Sequence, residues 1–299
     1  MHADSQAAER EKRWAALTSL WAAVFITVFK IIVGALTGSL GILAEAAHSG
    51  LDLAAALVTF LAIRAASKPP DGEHPYGHGK IENLSAMFET LLLLVTCAWI
   101  FNEAGHRLLS RQVKVQVSVW SFIVMITSVV LNYSRARTLS RVAKKHNSQA
   151  LEADALHFET DIWSSLAVIL GLICVLVGQR LPSLAFLDYA DTMAAIAVAL
   201  IVVWVSVELG MRTIRGLLDT APAGMARKVR RLVESLPGVV DCHRVRVRSA
   251  GPRLFVDIHV LVDGRLALVK VHDLTEDIER AIQRIAPGAD VTVHPEPKG

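Results

Sequence analysis

The sequence is short of cysteine, short of charge in its first two thirds, and without the marks of a removable leader. Of its 299 residues three are cysteines, Cys97, Cys174 and Cys242, which form neither a CxxC pair nor an even set. That excludes a disulfide-stapled secreted fold and a thiol redox motif. Cys97 and Cys174 fall in apolar runs and read as small core residues, whereas Cys242 precedes a histidine in a polar region and could serve as a fringe metal ligand. The first thirteen residues are polar, and no small-residue cleavage pattern precedes the apolar run that begins at Trp14. This first run therefore reads as an anchor that stays, not a signal peptide. Only 20% of residues are charged against 53% hydrophobic, and the mean hydropathy is +0.43. Such a composition excludes an ordinary soluble domain.

What is present is a series of long apolar stretches. Residues 14–36, 41–63, 81–102, 115–134, 154–178 and 190–209 approach the length of about 20 residues that a bilayer core requires, which predicts six membrane-spanning helices. Val115 to Asn132 carries no charge, while all five other stretches contain acids, histidines or a lysine. Lys and Arg gather in the N-terminal segment (Arg10, Lys12, Arg13), in the 64–80 loop (Arg64, Lys68, Lys80) and in the 135–150 loop (Arg135, Arg137, Arg141, Lys144, Lys145). The alternate loops carry none at 37–40, three at 103–114 (Arg107, Arg111, Lys114) and Arg180 alone in the last. The bias of basic residues toward one side predicts that both termini are cytoplasmic, with the 103–114 loop pulling the other way.

After Leu218 charges become frequent and the apolar residues fall into short periods. Ala223 to Leu236 reads as a helix stopped by Pro237-Gly238. Val239 to Arg248 and Arg253 to Val262 alternate as strands about a turn at Ser249 to Pro252. Leu268 to Ala286 carries a helical stripe of Val271, Leu274, Ile278, Ile282 and Ile285, and Val291 to His294 is a short last strand. The order α-β-β-α-β predicts a small α+β domain with its helices on one sheet face. The other face needs a cover, which suggests a dimer.

The residues that carry chemistry lie in three groups. His48 with Asp52, and His157 with Asp161, repeat an i,i+4 spacing inside apolar stretches, so each pair shares one helix face. Ionisable residues are costly in a bilayer and mark function. Two such helices facing each other would supply two imidazoles and two carboxylates, the ligand number and type of a tetrahedral zinc-like site; interhelical hydrogen bonds or a proton relay are the alternative. Asp71, His74 and His78 are close in a Pro- and Gly-rich loop, as metal ligands or as a solvated polar segment. The last domain holds His243, His259, His272, His294 and Glu296, a metal cluster or scattered surface histidines.

With these residues in view the chain resembles the cation diffusion facilitators, over nearly its whole length from about Trp14 to Pro297. The resemblance rests on Ala47-His48-Ser49-Gly50-Leu51-Asp52, on His74-Pro75-Tyr76-Gly77-His78-Gly79-Lys80 with Glu82, and on Leu156-His157 to Asp161. It implies an α-helical membrane protein with six transmembrane helices and a C-terminal cytoplasmic α+β (α-β-β-α-β), metallochaperone-like domain, assembled as a homodimer. By this resemblance His48, Asp52, His157 and Asp161 form the transport site, Asp71, His74 and His78 a loop site, and His243, His259, His272, His294 and Glu296 a two-metal cluster. Glu296 stands where some relatives have aspartate. Lys80 and Asp219 match a charge pair that ties helix three to the end of helix six. Relatives with a long histidine-rich loop between helices four and five differ from this chain, whose Ser134 to Ala150 segment is basic and holds only His146.

The expectation is a secondary transporter, not an enzyme, that exports divalent transition metals, Zn2+ before Cd2+, Co2+, Fe2+ or Mn2+, in exchange for protons. Imidazole must be neutral to bind metal, and its unperturbed pKa of about 6.5 lies near the pH of both compartments. The expected division is a cytoplasmic segment at 1–13, a transport domain at 14–215 and a regulatory, dimerising domain at 216–299, in a bacterial inner membrane. Two remoter readings stay open: a membrane-embedded zinc hydrolase, with Glu45 as the nearest spare acid, and a membrane-anchored metal sensor.

Overall fold

A computed structural model describes residues 2–38, 40–110, 119–180 and 190–298. Six long helices come first: α1 (His2–Thr37), α2 (Leu40–Ala66), α3 (Lys80–Ser110), α4 (Val119–His146), α5 (Gln149–Arg180) and α6 (Ala190–Leu217). Four helical stretches among the described residues are long and apolar enough to cross a membrane: Gln6–Thr37, Glu45–Ala66, Lys80–His106 and Ile196–Leu217. Four of the six expected spans meet this criterion; the apolar runs of α4 and α5 fall in part on residues outside the described set. Helix α4 carries Arg135, Arg137, Arg141, Lys144 and Lys145, and α5 carries Glu152, Asp154, Glu159 and Asp161. Part of the expected 115–134 run, the basic residues Arg111 and Lys114, and the side chains of Arg107, Cys174 and Arg180 lie outside the described residues.

Two expected loops are helical instead. The polar N-terminal segment continues into α1, because Lys12 is buried rather than solvated. The basic segment after residue 134 is helical to His146, with Asn147 in the left-handed region at φ 50° making the turn into α5. Helix α1 packs along α2, α3 along α6 and α4 along α5, with α5 also against α3 and α6. Small residues allow this close approach: Ala15, Ala16, Ala136, Ala143, Ala150 and Ala155 surround Ile63, Leu139, Leu151 and Phe158 in one core.

The second unit contains α7 (Met225–Glu234), β1 (Asp241–Ala250), β2 (Arg253–Asp263), α8 (Leu268–Ile285) and β3 (Asp290–Lys298). The expected α-β-β-α-β order holds, with β3 reaching well beyond His294. Strand β1 runs antiparallel to β2, and β3 parallel to it. Val229 and Val233 of α7 and Ile278 and Ile282 of α8 bury the same sheet face, formed by Cys242, Val247, Val256, Ile258 and Val260. Cys242 and Val247 are an odd number of residues apart yet face the same core. A bulge between His243 and Arg246, with Arg244 at φ 48°, inserts the residue that permits this.

The two units meet at the start of α3. Gly79 lies against the backbone of Ala250 and Gly251, and a side chain at Gly79 would collide with the Ala250 carbonyl. Gly251 sits at φ +59°, where a side chain is strained as well as crowded.

Candidate metal centres

One turn of helix separates His48 from Asp52 on α2 and His157 from Asp161 on α5, so each pair projects from one face of its helix. The two faces meet. Asp52 Oδ1 is 3.1 Å from His157 Nε2, His48 Nε2 is 3.9 Å from Asp52 Oδ1, and His157 Nε2 is 4.0 Å from Asp161 Oδ2. His48, Asp52 and Asp161 place ligand atoms within 4.8 Å of one another, and His157 joins them through Asp52. Asp52 and His157 are buried, whereas His48 is half-open. The four residues offer two imidazole nitrogens and two carboxylates, a set suited to a borderline divalent cation.

Other polar groups hold this centre, and the sequence reading did not assign them. Ser49, next to His48, accepts a hydrogen bond from Thr27 on its carbonyl (3.0 Å) and from Lys30 Nζ on its hydroxyl (2.8 Å). Lys30 also lies 3.1 Å from Glu45, so this acid has a cationic partner and is not spare. Arg135 donates to Ser19 Oγ (3.1 Å) and stacks 3.5 Å above the Phe158 ring, while Ser19 donates to Asp154 (3.3 Å). Thr59 donates to the buried Glu89 (3.0 Å). The available signal was the one that found His48 and Asp52, namely charge inside an apolar run. These residues lacked the repeated spacing that singled out the pairs.

The loop residues also converge. Asp71 Oδ1 accepts the backbone N–H of His74 (2.7 Å) and of Glu73 (3.1 Å), a turn that brings His74 Nδ1 to 3.2 Å and leaves Oδ2 3.4 Å from His78 Nε2. The His74 backbone N–H is the main cause holding the Asp71 carboxyl below its usual range. Tyr76 seats the loop on the sheet, edge-on to Phe255 with ring centres 5.4 Å apart and with the Arg248 guanidinium 4.1 Å above its ring. Next to it Lys80 Nζ bonds the Leu217 carbonyl (3.2 Å) and pairs with Asp219 (2.9 Å), joining α3 to the end of α6. Deeper, Lys12 Nζ lies 2.8 Å from both Glu82 and Glu9, and Glu82 accepts a further hydrogen bond from Ser148.

On the sheet face away from α7 and α8, register aligns His243 with His259 and His259 with His294. Glu296 joins all three: its oxygens are 2.7 Å from His259 Nδ1, 3.2 Å from His243 Nε2 and 3.9 Å from His294 Nε2. The His259 hydrogen bond is the main cause keeping the Glu296 carboxyl below its usual range. Asp241, not anticipated, accepts from His243 Nδ1 at 3.1 Å and fixes its ring.

Two expected participants are elsewhere. His272 is exposed on α8, which packs on the opposite sheet face, and pairs with Glu276 at 3.5 Å. Cys242 points into the apolar core beside Val229 and Val260, where burial pushes its thiol up to about 11. A thiol so protonated and so enclosed is a core residue, not a fringe ligand.

A bundle of apolar helices with an acid–histidine centre between α2 and α5, continuous with a small sheet domain bearing a second such cluster, defines a membrane transporter of metal cations. The sequence matches the cation efflux transmembrane domain over residues 16–218 and the cation efflux protein cytoplasmic domain over residues 222–298, and the chain belongs to the cation efflux, or cation diffusion facilitator, family. It is 31% identical over 289 residues to the cation-efflux pump FieF of Serratia proteamaculans, covering 95% of this chain and 92% of that one. An uncharacterised transporter of Synechocystis is 34% identical over 284 residues, 94% of this chain and 89% of the other. The metal-bound C-terminal domain of the CzcD transporter from Thermotoga maritima is 32% identical, with 24% of this chain and 86% of that domain covered and a TM-score of 0.24. The chain is a cation-efflux transporter with a dimerising cytoplasmic domain, and not an enzyme.

Proposed function

We propose that the protein exports Zn2+ from the cytoplasm in exchange for protons, by alternating access of the centre made by His48, Asp52, His157 and Asp161. The observation that carries the reading is the meeting of two matched His/Asp pairs from α2 and α5 in the interior of the helical unit. Two carboxylates neutralise a divalent ion, and two imidazoles favour zinc over calcium or magnesium, which prefer shells of oxygen. Cd2+, Co2+, Fe2+ and Mn2+ are the alternative substrates, with Mn2+ least suited to two imidazoles. Protons compete with metal for the same nitrogens and oxygens, so a proton gradient can drive release on the far side.

In this reading all six long helices span a bacterial inner membrane, both termini are cytoplasmic, and two protomers pair through the second unit. The divisions are 1–13, 14–215 and 216–299. Asp71, His74 and His78 take up metal at the inner surface. His243, His259, His294 and Glu296 bind zinc that steadies the dimer, and His272 lies outside that set within one protomer. The Lys80–Asp219 pair ties α3 to α6 next to the sheet.

The test is zinc uptake into proteoliposomes of the full chain, with and without a pH gradient, beside Asp52→Ala and Asp161→Ala. Gradient-driven uptake should be lost in both variants while the dimer survives. Wild-type rates in both would refute the site, and uptake indifferent to the gradient would refute antiport.

A further inference from the structure

We propose that the exposed face of α7 is a docking surface for the anionic headgroups of the membrane's own phospholipids. Helix α7 is two-sided. Val229 and Val233 are fully buried against the sheet, while Arg227, Lys228 and Arg231 are exposed and line, with Gly224, a groove of about 290 Å³. None of these three has an acidic partner among the described residues. Arg230, on the same helix, is by contrast held by Glu234 at 2.7 Å and by Asp241 at 3.7 Å.

The position of this face selects the partner. The Arg230–Asp241 contact sets the end of α7 beside the start of β1, and the end of β1, at Ala250, abuts Gly79 at the start of α3. Helix α7 therefore runs back along β1, with its first turns toward the end of the sheet that meets the membrane helices. Seven residues, 218–224, link the end of α6 at Leu217 to Met225, a span of under about 30 Å even when fully extended. Helix α6 itself ends in a basic turn with Arg215. Three unpaired cations at this end match a surface of phosphodiesters. A second copy of the chain offers the same positive sign and is repelled. The attraction decays within a Debye length of about 8 Å at physiological salt, so only a surface directly beside the groove is held. The consequence is a cytoplasmic unit tethered to the membrane plane by charge, separately from the metal sites.

The test uses the full chain in nanodiscs of phosphatidylcholine alone or with phosphatidylglycerol, read by hydrogen exchange of the 222–234 segment. Lipid binding is counted in parallel by native mass spectrometry. Phosphatidylglycerol should slow exchange in this segment and bind in excess of phosphatidylcholine. Each basic side chain contributes roughly fivefold, so R227Q/K228Q/R231Q should weaken the excess binding by about 100-fold and abolish the protection. The charge-preserving R227K/R231K should keep both effects, which separates charge from damage to the helix. Equal protection in the two lipids, or equal phosphatidylglycerol binding by the Gln variant, would overturn the proposal. So would protection reproduced by inorganic phosphate in phosphatidylcholine discs, which would make the groove a site for a free anion. The readouts do not depend on zinc or on protons and stand apart from the transport assay.

Discussion

Lys12 to Met is the substitution whose cost the structure sets most sharply. The Lys12 and Glu82 side chains are 2% and 1% exposed, with Nζ 2.8 Å from Oε1. At an effective dielectric of 20, two unit charges at that separation attract by about 6 kcal/mol, before desolvation is subtracted. Removing the lysine leaves a buried carboxylate with only the Ser148 hydroxyl as a hydrogen-bond donor among the described residues. Breaking a buried pair in this way costs roughly 3–5 kcal/mol. The reverse change is milder, because in Glu82→Gln the lysine keeps Glu9, also at 2.8 Å. Its expected cost is about 1–3 kcal/mol, that of an imperfectly satisfied polar group. The double variant, in which no charge is stranded, should be more stable than Lys12→Met alone. The assay is thermal unfolding of the detergent-solubilised full chain for wild type, both single variants and the double variant, at one scan rate because such unfolding is often irreversible. A larger loss for Glu82→Gln than for Lys12→Met, or strictly additive losses, would refute the claim that the pair is a coupled buried unit.

Four further outcomes are expected. With Cys97 and Cys174 replaced by serine, Cys242 should resist alkylation in the native chain: with its thiol pushed up to about 11, roughly 0.1% is thiolate at pH 8, and rapid labelling would contradict its place in the core. Because the folded Glu296 carboxyl titrates below its usual range, its ionised form contributes stability that is complete above the unfolded value of about 4.3 and is lost as pH falls through the folded one. Melting curves of Glu296→Gln between pH 3 and 6 should therefore be flatter than those of wild type, and parallel curves would speak against this. Lys80→Ala removes a half-exposed pair and should lower stability by only about 0.2–1 kcal/mol, so a loss of several kcal/mol on unfolding would show that the pair carries more than its exposure allows. Asp71→Asn should weaken zinc binding at the loop in isothermal titration of the full chain while leaving the cytoplasmic cluster's binding step intact; loss of both steps would mean the two sites are not independent.

The legible parts of the molecule were those written as a period. Alternation revealed β1, β2 and the helices around them, and the repeated i,i+4 spacing led to His48, Asp52, His157 and Asp161, which the structure brings together. Less legible was whatever depends on a partner far away in sequence. Lys12 looks solvated until Glu82, seventy positions later, is beside it. Lys30 is a single charge in an apolar run, Arg135 opens a basic segment and Asp154 lies among other acids, and nothing local says which neighbour satisfies each. Cys242 beside His243 suggested shared chemistry, but neighbours on a strand point to opposite faces, and one faces the core while the other faces the cluster. His272 misled for a related reason: a histidine count does not record which side of a sheet a helix covers.

The meeting of Gly79 with Ala250 and Gly251 has its own consequence. Side chains between two bodies rotate and compress, and so absorb small displacements. Here main chain rests on main chain. A shift of the sheet, such as a closing of its histidine face, reaches the first turn of α3 without slack, at the turn that also holds Lys80 and Glu82. The two glycines leave no room for slack at this contact, and a single added methyl at Gly79 would force the two units apart.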